Sequence, residues 1–371
     1  MKMYVDRQSR TVFFCAFWKL SLLSINHTVY KKITKEVCSM DERYIEAVIK
    51  ILEAELPDCN VESYTTIKNN GVELNGVRIA TADSPIAPIL YMNGYYEGYT
   101  EEECAIAILE HYEEIKNEGI SFDINSLTDF DAIKDRICYK VINKEANEAL
   151  LEYTPFTQLY DSDLVCIYYI DLDKQATITI HDGMMQMWGI SEDELYDIAD
   201  YNTPRIYSKV DFKPLSEMMA DTMLRSGELE MIKMQMGVPE DITLDEFKGM
   251  FIEMMNSQCP MEMYVLTAQD CNAGASVIMY DNLLSSVYER LGSDFVMFPS
   301  STHEVIVMPY SDEMSVEELQ DIVRTVNQQE LSPEEKLSDN VYYYDGRKLT
   351  IMTEEMLCAS QQQPVYYDEA R

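Results

Sequence analysis

Histidine is the scarcest acid–base side chain in this chain of 371 residues, with only His27, His111, His181 and His303 present. His303 lies in Pro299-Ser300-Ser301-Thr302-His303-Glu304, a stretch between two apolar runs. A hydroxyl activated by an imidazole with a carboxylate behind it is the minimum for acyl transfer. Ser300, Ser301, His303 and Glu304 are therefore the candidate catalytic set. A plain turn explains the same residues, since proline and hydroxyls suit turns, and no oxyanion-hole element accompanies them. A second cluster, Asp171, Asp173, His181 and Asp182, offers hard oxygen ligands of the kind that hold Mg²⁺ or Ca²⁺. Asp-rich turns also cap their own backbone without metal. His111 falls on a helix among carboxylates. Tyr91, Tyr95, Tyr96 and Tyr99, with Tyr342, Tyr343 and Tyr344, could stack on bases or sugars. That role normally comes with Arg and Lys, so half-buried sheet positions suit these tyrosines better.

The absent motifs narrow the chemistry further. The chain has no GxSxG, GxxxxGK[ST], GxGxxG or HExxH, so no cofactor class is implied. Its 66 acidic and 29 basic residues give a net charge of −37. That field repels nucleic-acid phosphates and anionic membranes. Basic or amphipathic proteins, cationic ligands and metals remain as partners; acidity for solubility and mimicry of DNA are the other readings of the charge. Nine cysteines without a CxxC pair fit reduced thiols in a cytosol rather than a disulfide framework or zinc ribbon. Residues 11–25 resemble a signal peptide, but Lys19 interrupts the run and no cleavage site follows. Residues 1–39 are expected to be a disordered leader or a mis-assigned start, with Met40 the natural one.

The elements that must position these residues follow from periodicity. Apolar spacing over 41–55 and after the Thr100–Glu103 capping box predicts helices. Strands at 61–67 and 72–80 flank Lys68-Asn69-Asn70-Gly71, where Asn-Gly predicts a type I′ hairpin. Strands are expected at 136–142, 163–171 and 176–180, then a helix after the Ser191–Glu194 box. Farther on, strands at 263–268 and 276–280 precede a helix at 283–291. Strands at 295–298 and 305–308 precede a helix after Ser315–Glu318, and a hairpin at 341–344 and 349–352 closes the chain. The order is strand–strand–helix, so the fold class is α+β with mainly antiparallel sheets and interspersed helices. Two domains, 40–160 and 161–358, and a disordered tail, 359–371, are expected. Residues 214–263 hold 11 of the 24 methionines. Helical spacing turns such side chains inward, whereas a methionine-rich surface adapts to varied partners.

Three groups of residues carry a family resemblance: Lys68-Asn69-Asn70-Gly71-Val72-Glu73-Leu74-Asn75-Gly76-Val77; Ile86-Ala87-Pro88-Ile89-Leu90-Tyr91 with Tyr95-Tyr96-Glu97; and Pro299 to Val305 with Leu337-Ser338-Asp339-Asn340-Val341-Tyr342. With these the chain resembles domain-of-unknown-function family 5688, a bacterial family seen largely in gut-dwelling anaerobic Gram-positive species. The resemblance spans Met40 to Leu357. The C-terminal part is also similar to a second uncharacterised bacterial family with the serine–histidine turn and the Ser-Asp-x-Val-Tyr element. Neither resemblance implies an activity or assigns a catalytic residue. The expectation is a non-enzymatic interaction module with 214–263 as its contact surface. The alternative is a hydrolase or metal-dependent enzyme using the His303 turn or the Asp171–Asp182 cluster.

Overall fold

The structure, a computed structural model, describes residues 40–81, 87–96, 98–118, 124–172, 176–225, 233, 242–258, 261–269, 271–299 and 301–354. The expected leader and tail lie outside these residues.

Helix α1 (Glu42–Glu55) starts where the Asp41 side chain accepts from the Arg43 N–H, and it buries Tyr44, Val48 and Leu52 at four-residue spacing. Strands β1 (Cys59–Ile67) and β2 (Glu73–Thr81) form the expected hairpin, with β3 (Ile89–Tyr91) beyond β2. At its tip Asn70 and Gly71 take φ of 60° and 70°, the paired positive values a type I′ turn requires. Helix α2 (Glu101–Glu118) opens on reciprocal Thr100–Glu103 hydrogen bonds. Val48, Leu52, Val77, Ile79, Ile108 and Tyr112 share one apolar core, so the two helices cover one face of the three-stranded sheet.

The second sheet is built around β6. Strand β4 (Ile137–Asn143) pairs along one edge of β6 (Leu164–Leu172). Strands β5 (Phe156–Gln158) and β7 (Ala176–Thr179) share the other edge. A short helix, α3 (Glu148–Leu151), joins β4 to β5. The boundary expected near residue 160 thus falls between two strands, β5 and β6, that pair with each other. Every residue of β6 is buried, which explains its apolar run from Leu164 to Ile170, ahead of the buried Asp171. Helices α4 (Asp182–Trp188) and α5 (Glu192–Ile206) follow, the latter opening on the Ser191–Glu194 capping box.

The third sheet runs β13-β12-β10-β11-β9-β8 and is antiparallel throughout. Its strands are β8 (Val210–Pro214), β9 (Tyr264–Ala268), β10 (Phe295–Phe298), β11 (Val305–Pro309), β12 (Tyr342–Tyr344) and β13 (Leu349–Ile351). Side chains alternate between two cores. Helices α6 (Leu215–Arg225), α7 (Leu244–Gln258) and α8 (Leu283–Leu291) follow in the chain, and Phe295, Met297, Val305 and Val307 face the second sheet, α5 and α8. Val296, Phe298, Ile306 and Met308 face α6, α7 and α9 (Val316–Glu330). The architecture is α+β, as expected.

The structure departs from the sequence expectations in one predicted strand and in one strand that was not predicted. Residues 276–280 do not form a strand: Gly274–Met279 is a 3₁₀ helix. The neighbouring position in the sheet is taken by β11, and a five-residue apolar run does not itself distinguish strand from buried helix. Strand β8 lacked a clear alternating pattern, since Val210 to Pro214 are all half-buried. Within the methionine-rich segment, Met261 is exposed, and Met231, Met234 and Met236 lie outside the described residues. Met219, Met223, Met255 and Met263 are buried in the core under the third sheet, and Met218, Met250 and Met254 are partly buried against it.

Candidate functional site

The hairpin tip does not project into solvent. Asn70 donates its Nδ2 to the carbonyls of Pro333 (2.8 Å) and Lys336 (2.6 Å). It also exchanges hydrogen bonds with buried Asn147, through Asn70 N to Oδ1 (2.8 Å) and Asn147 Nδ2 to Asn70 Oδ1 (2.9 Å). Asn69 Nδ2 donates to the Glu334 carbonyl (2.7 Å). The left-handed turn is what aims these amides outward, and asparagine tolerates that backbone better than other side chains of its size.

The receiving loop is in turn tied to the histidine turn. Thr302 N donates to the Glu335 carbonyl (2.8 Å), and Ser301 forms a lone antiparallel bridge with Lys336. Thr267 Oγ1 donates to the His303 carbonyl at 2.7 Å. A side chain on Gly274 would come within 2.2 Å of both the His303 carbonyl oxygen and Thr267 Oγ1, so only glycine admits this approach.

These contacts decide what His303 can do. Its Nε2 lies 3.2 Å from Glu335 Oε1. Burial disfavours its cation, but the Glu335 hydrogen bond, the charges of Glu304 and Glu335 and a hydrogen bond to the Asn272 backbone together raise its pKa above the usual value. With acceptors on the ring, His303 is suited to act as a buried cation rather than a base. The Ser301 hydroxyl does not meet the ring; it is buried and accepts from the His303 backbone N–H at 3.0 Å. Glu304 is buried and contributes its charge, while the hydrogen-bonded carboxylate comes from Glu335, 32 residues away. Ser300 lies outside the described residues.

The aspartate cluster is spread along the β6–β7 hairpin. Asp171 is buried opposite Thr177, whereas His181 follows the end of β7, beyond the pair Tyr169–Thr179. Register therefore separates Asp171 from His181 by about four strand positions, roughly 13 Å. His181 is exposed and precedes α4 without a side-chain capping bond, Asp182 lies in the first turn, and His181 Nδ1 is 3.4 Å from Thr154 Oγ1. Asp173 lies outside the described residues. Among the described residues no group of three His, Cys, Asp or Glu side chains could hold a metal ion.

The tyrosines and cysteines are largely internal. Tyr342 OH donates to Asp163, which also accepts from Ser338 Oγ (2.8 Å) and Asn143 Nδ2 (3.0 Å). Tyr343 OH donates to Asp294. Burial pushes the Cys138 thiol up to about 12 and the Cys166 thiol to about 11, the opposite of what a reactive thiolate needs.

Two features escaped the sequence reading. One is Lys140, midway along the edge strand β4 of the second sheet, with only partial contact to solvent. Burial, with the neighbouring charge of Lys68, lowers its pKa to about 8. The apolar residues around it gave no pattern that singled it out. The other is an open groove of about 560 Å³ beside α3, where Leu151 and Phe156 lie among Glu145, Glu148, Glu152 and Asp163.

A docked hairpin module, a two-sided antiparallel sheet and a histidine held by carboxylates define an acidic α+β protein with a polar junction at its centre. The chain belongs to a family of unknown function, DUF5688, whose model matches residues 41–346. No curated protein matches the chain, and no solved structure does. Among the described residues no helix is long and apolar enough to cross a membrane.

Proposed function

We propose that this chain is a non-enzymatic interaction protein, and that its acidic groove receives a basic, amphipathic segment of a partner protein. The groove carries the reading. Glu145, Glu148 and Glu152 are exposed at its rim, while Leu151 and Phe156 are half-buried between them. Apolar surface bordered by like charges suits an amphipathic segment with cationic flanks, and a net charge of −37 favours the encounter. Lys144, also at the groove, is held by Gln158 Oε1 at 2.9 Å. Asp163 is occupied by Ser338, Asn143 and Tyr342, so the rim glutamates are the charges left to recognise a partner.

The test is recovery of the tagged chain from its native cells at low salt, followed by native mass spectrometry. A basic protein should co-purify and be lost at high salt, because rim charges are screened. Reversing the rim with Glu145→Lys, Glu148→Lys and Glu152→Lys should weaken binding about tenfold or more, since each rim charge contributes up to about 1 kcal/mol. A partner retained in full by the triple variant would refute the groove as the docking surface.

A further inference from the structure

Strand β1 is the outer strand of the three-stranded sheet, and its nine residues pair with β2 without a bulge. The phase of the hydrogen bonds shows which way its backbone groups point. Lys68 N donates to the Val72 carbonyl at 2.7 Å, one step beyond the pair Ile67–Glu73. Antiparallel pairs alternate between bonded and non-bonded, so Asn60, Glu62, Tyr64 and Thr66 turn their backbone groups toward β2. Val61, Ser63, Thr65 and Ile67 turn theirs away. The far side of β2 agrees. Ile79 N donates to the Pro88 carbonyl at 3.0 Å, and the Asn75 carbonyl accepts from Met92 N at 2.8 Å. Ile79 and Asn75 are the partners of Val61 and Thr65, and both bond away from β1. Val61, Ser63, Thr65 and Ile67 therefore each present an N–H and a C=O to the outer edge. None of these groups meets a donor or acceptor among the described residues.

Exposed edges are normally blunted by lysine, proline, a bulge or short length. The run Cys59-Asn60-Val61-Glu62-Ser63-Tyr64-Thr65-Thr66-Ile67 has none of these. Its one charge is Glu62, which Arg78 meets at 3.0 Å. On a molecule of net charge −37, this edge is a nearly neutral strip, where a second copy can approach with the least repulsion. It also carries two exposed large apolar side chains, Tyr64 at 37% and Ile67 at 64%.

We propose that β1 is a self-association edge, pairing antiparallel with β1 of a second copy about a two-fold axis at Tyr64. The register follows from the phase. Only a centre at Tyr64 sets all four outward residues of one copy against those of the other, with Val61 opposite Ile67 and Ser63 opposite Thr65. Every outward N–H and C=O of those residues then finds a partner. In the same register Tyr64 meets its own symmetry mate, Glu62 meets Thr66, and Val61 covers Ile67. Aromatic, aliphatic and hydroxyl pairs of this kind stabilise antiparallel neighbours, and no like charges face each other. A foreign strand would satisfy the same backbone groups, but this self-complementary order of side chains favours a second copy. The two three-stranded sheets join into one, with α1 and α2 of both copies on the same face. The edge shares no residue with the acidic groove, so either surface can fail without the other.

Sedimentation velocity of the full chain over a concentration series tests the association. A dimer is expected with a dissociation constant on the order of 10 µM, because strand pairing makes a small interface. It should tighten as salt rises, since screening relieves the repulsion between two acidic copies. A basic partner in the groove would respond in the opposite sense. Thr65→Pro should weaken the dimer about tenfold or more, because it removes an outward N–H from each copy and leaves the bonds to β2 in place. Oxidation of Tyr64→Cys should cross-link two copies at that position, as mapped by peptide mass spectrometry. Thr66→Cys should not, since its mates would lie about 13 Å apart along the strands. The cross-link reads the register without relying on the proline variant to fold. A chain still monomeric at about 100 µM, tenfold above the expected constant, would overturn the proposal, as would a dimer that Thr65→Pro leaves unchanged. Cross-linking through Thr66→Cys in preference to Tyr64→Cys would overturn the register.

Discussion

The underside of the third sheet and the hairpin junction at its end are held together by different physics. Beneath it, α6, α7 and α9 pack methionine, phenylalanine and valine against Val296, Phe298 and Ile306. Dispersion and burial do that work, and neither depends on direction, so unbranched methionine fits whatever gap is left. At the end where the hairpin docks, contact runs through Asn69, Asn70, Asn147, Thr302 and His303, and almost every link is a directed hydrogen bond. An apolar layer tolerates exchange of like volumes, while a polar junction loses a whole bond when one atom is removed. The difference teaches where function can be sought: a chain that only needed a stable hairpin had the cheaper apolar solution available.

Gly274→Ala should show the contrast at its strongest. The new methyl group would meet the His303 carbonyl oxygen and Thr267 Oγ1 at 2.2 Å. One of these is backbone held in a turn, so the strain should cost about 3 kcal/mol or more. Chemical denaturation should record a lower midpoint. A midpoint within error of the parent would mean that the junction is as forgiving as the methionine layer. Asn70→Ala should follow, at about 2–3 kcal/mol. It removes three side-chain hydrogen bonds, strands the Pro333 and Lys336 carbonyls, and places alanine at positive φ. A double-mutant cycle with Asn147→Ala should give coupling, because the two amides share bonds.

His303→Gln probes the same junction through pH. Its pKa is raised in the folded chain, so the stability it adds is fully present below about 6.5, the unfolded value, and fades as pH rises through the folded value. The variant should therefore be less stable than the parent by about 1.5–3 kcal/mol in mildly acidic solution, the range for hydrogen bonds to charged groups. The gap should narrow in alkaline solution. A gap that stays constant with pH would show that the ring packs without carrying charge.

Local signals reached the elements and stopped short of the junction. The Asn-Gly turn, the Thr100, Ser191 and Ser315 caps and the alternation in β10 and β11 act over a few residues, and each formed where expected. The 3₁₀ helix at Gly274–Met279 was missed because its conformation answers to a distant neighbour: Ser276 Oγ accepts from the Val141 N–H at 3.0 Å, 135 residues away. The candidate site divided in the same way. His303 stood out by rarity, but its partner Glu335 was one glutamate among many. Asp163, Asn147 and Lys140 carry meaning only through residues from other elements. Residues 68–71, 299–305 and 337–342, which carried the family resemblance, lie far apart in sequence. In space their described residues are linked through Asn70, Lys336, Ser301 and Thr302, so their joint presence was a signal of contact that local reasoning did not use.

The smallest effect is expected beneath the sheet. Met219→Leu and Met255→Leu each conserve volume and apolarity, and each should change stability by less than about 1 kcal/mol. Both residues are buried, at 6% exposure each, so the small effect would come from adaptable packing rather than from lying on the surface. Combining the two swaps should remain near additive if neighbouring side chains adjust freely. A combined loss well beyond the sum would mean that this layer is as specific as the hydrogen-bonded junction. The methionines would then be chosen for shape, and the contrast between this layer and the junction would lie only in polarity.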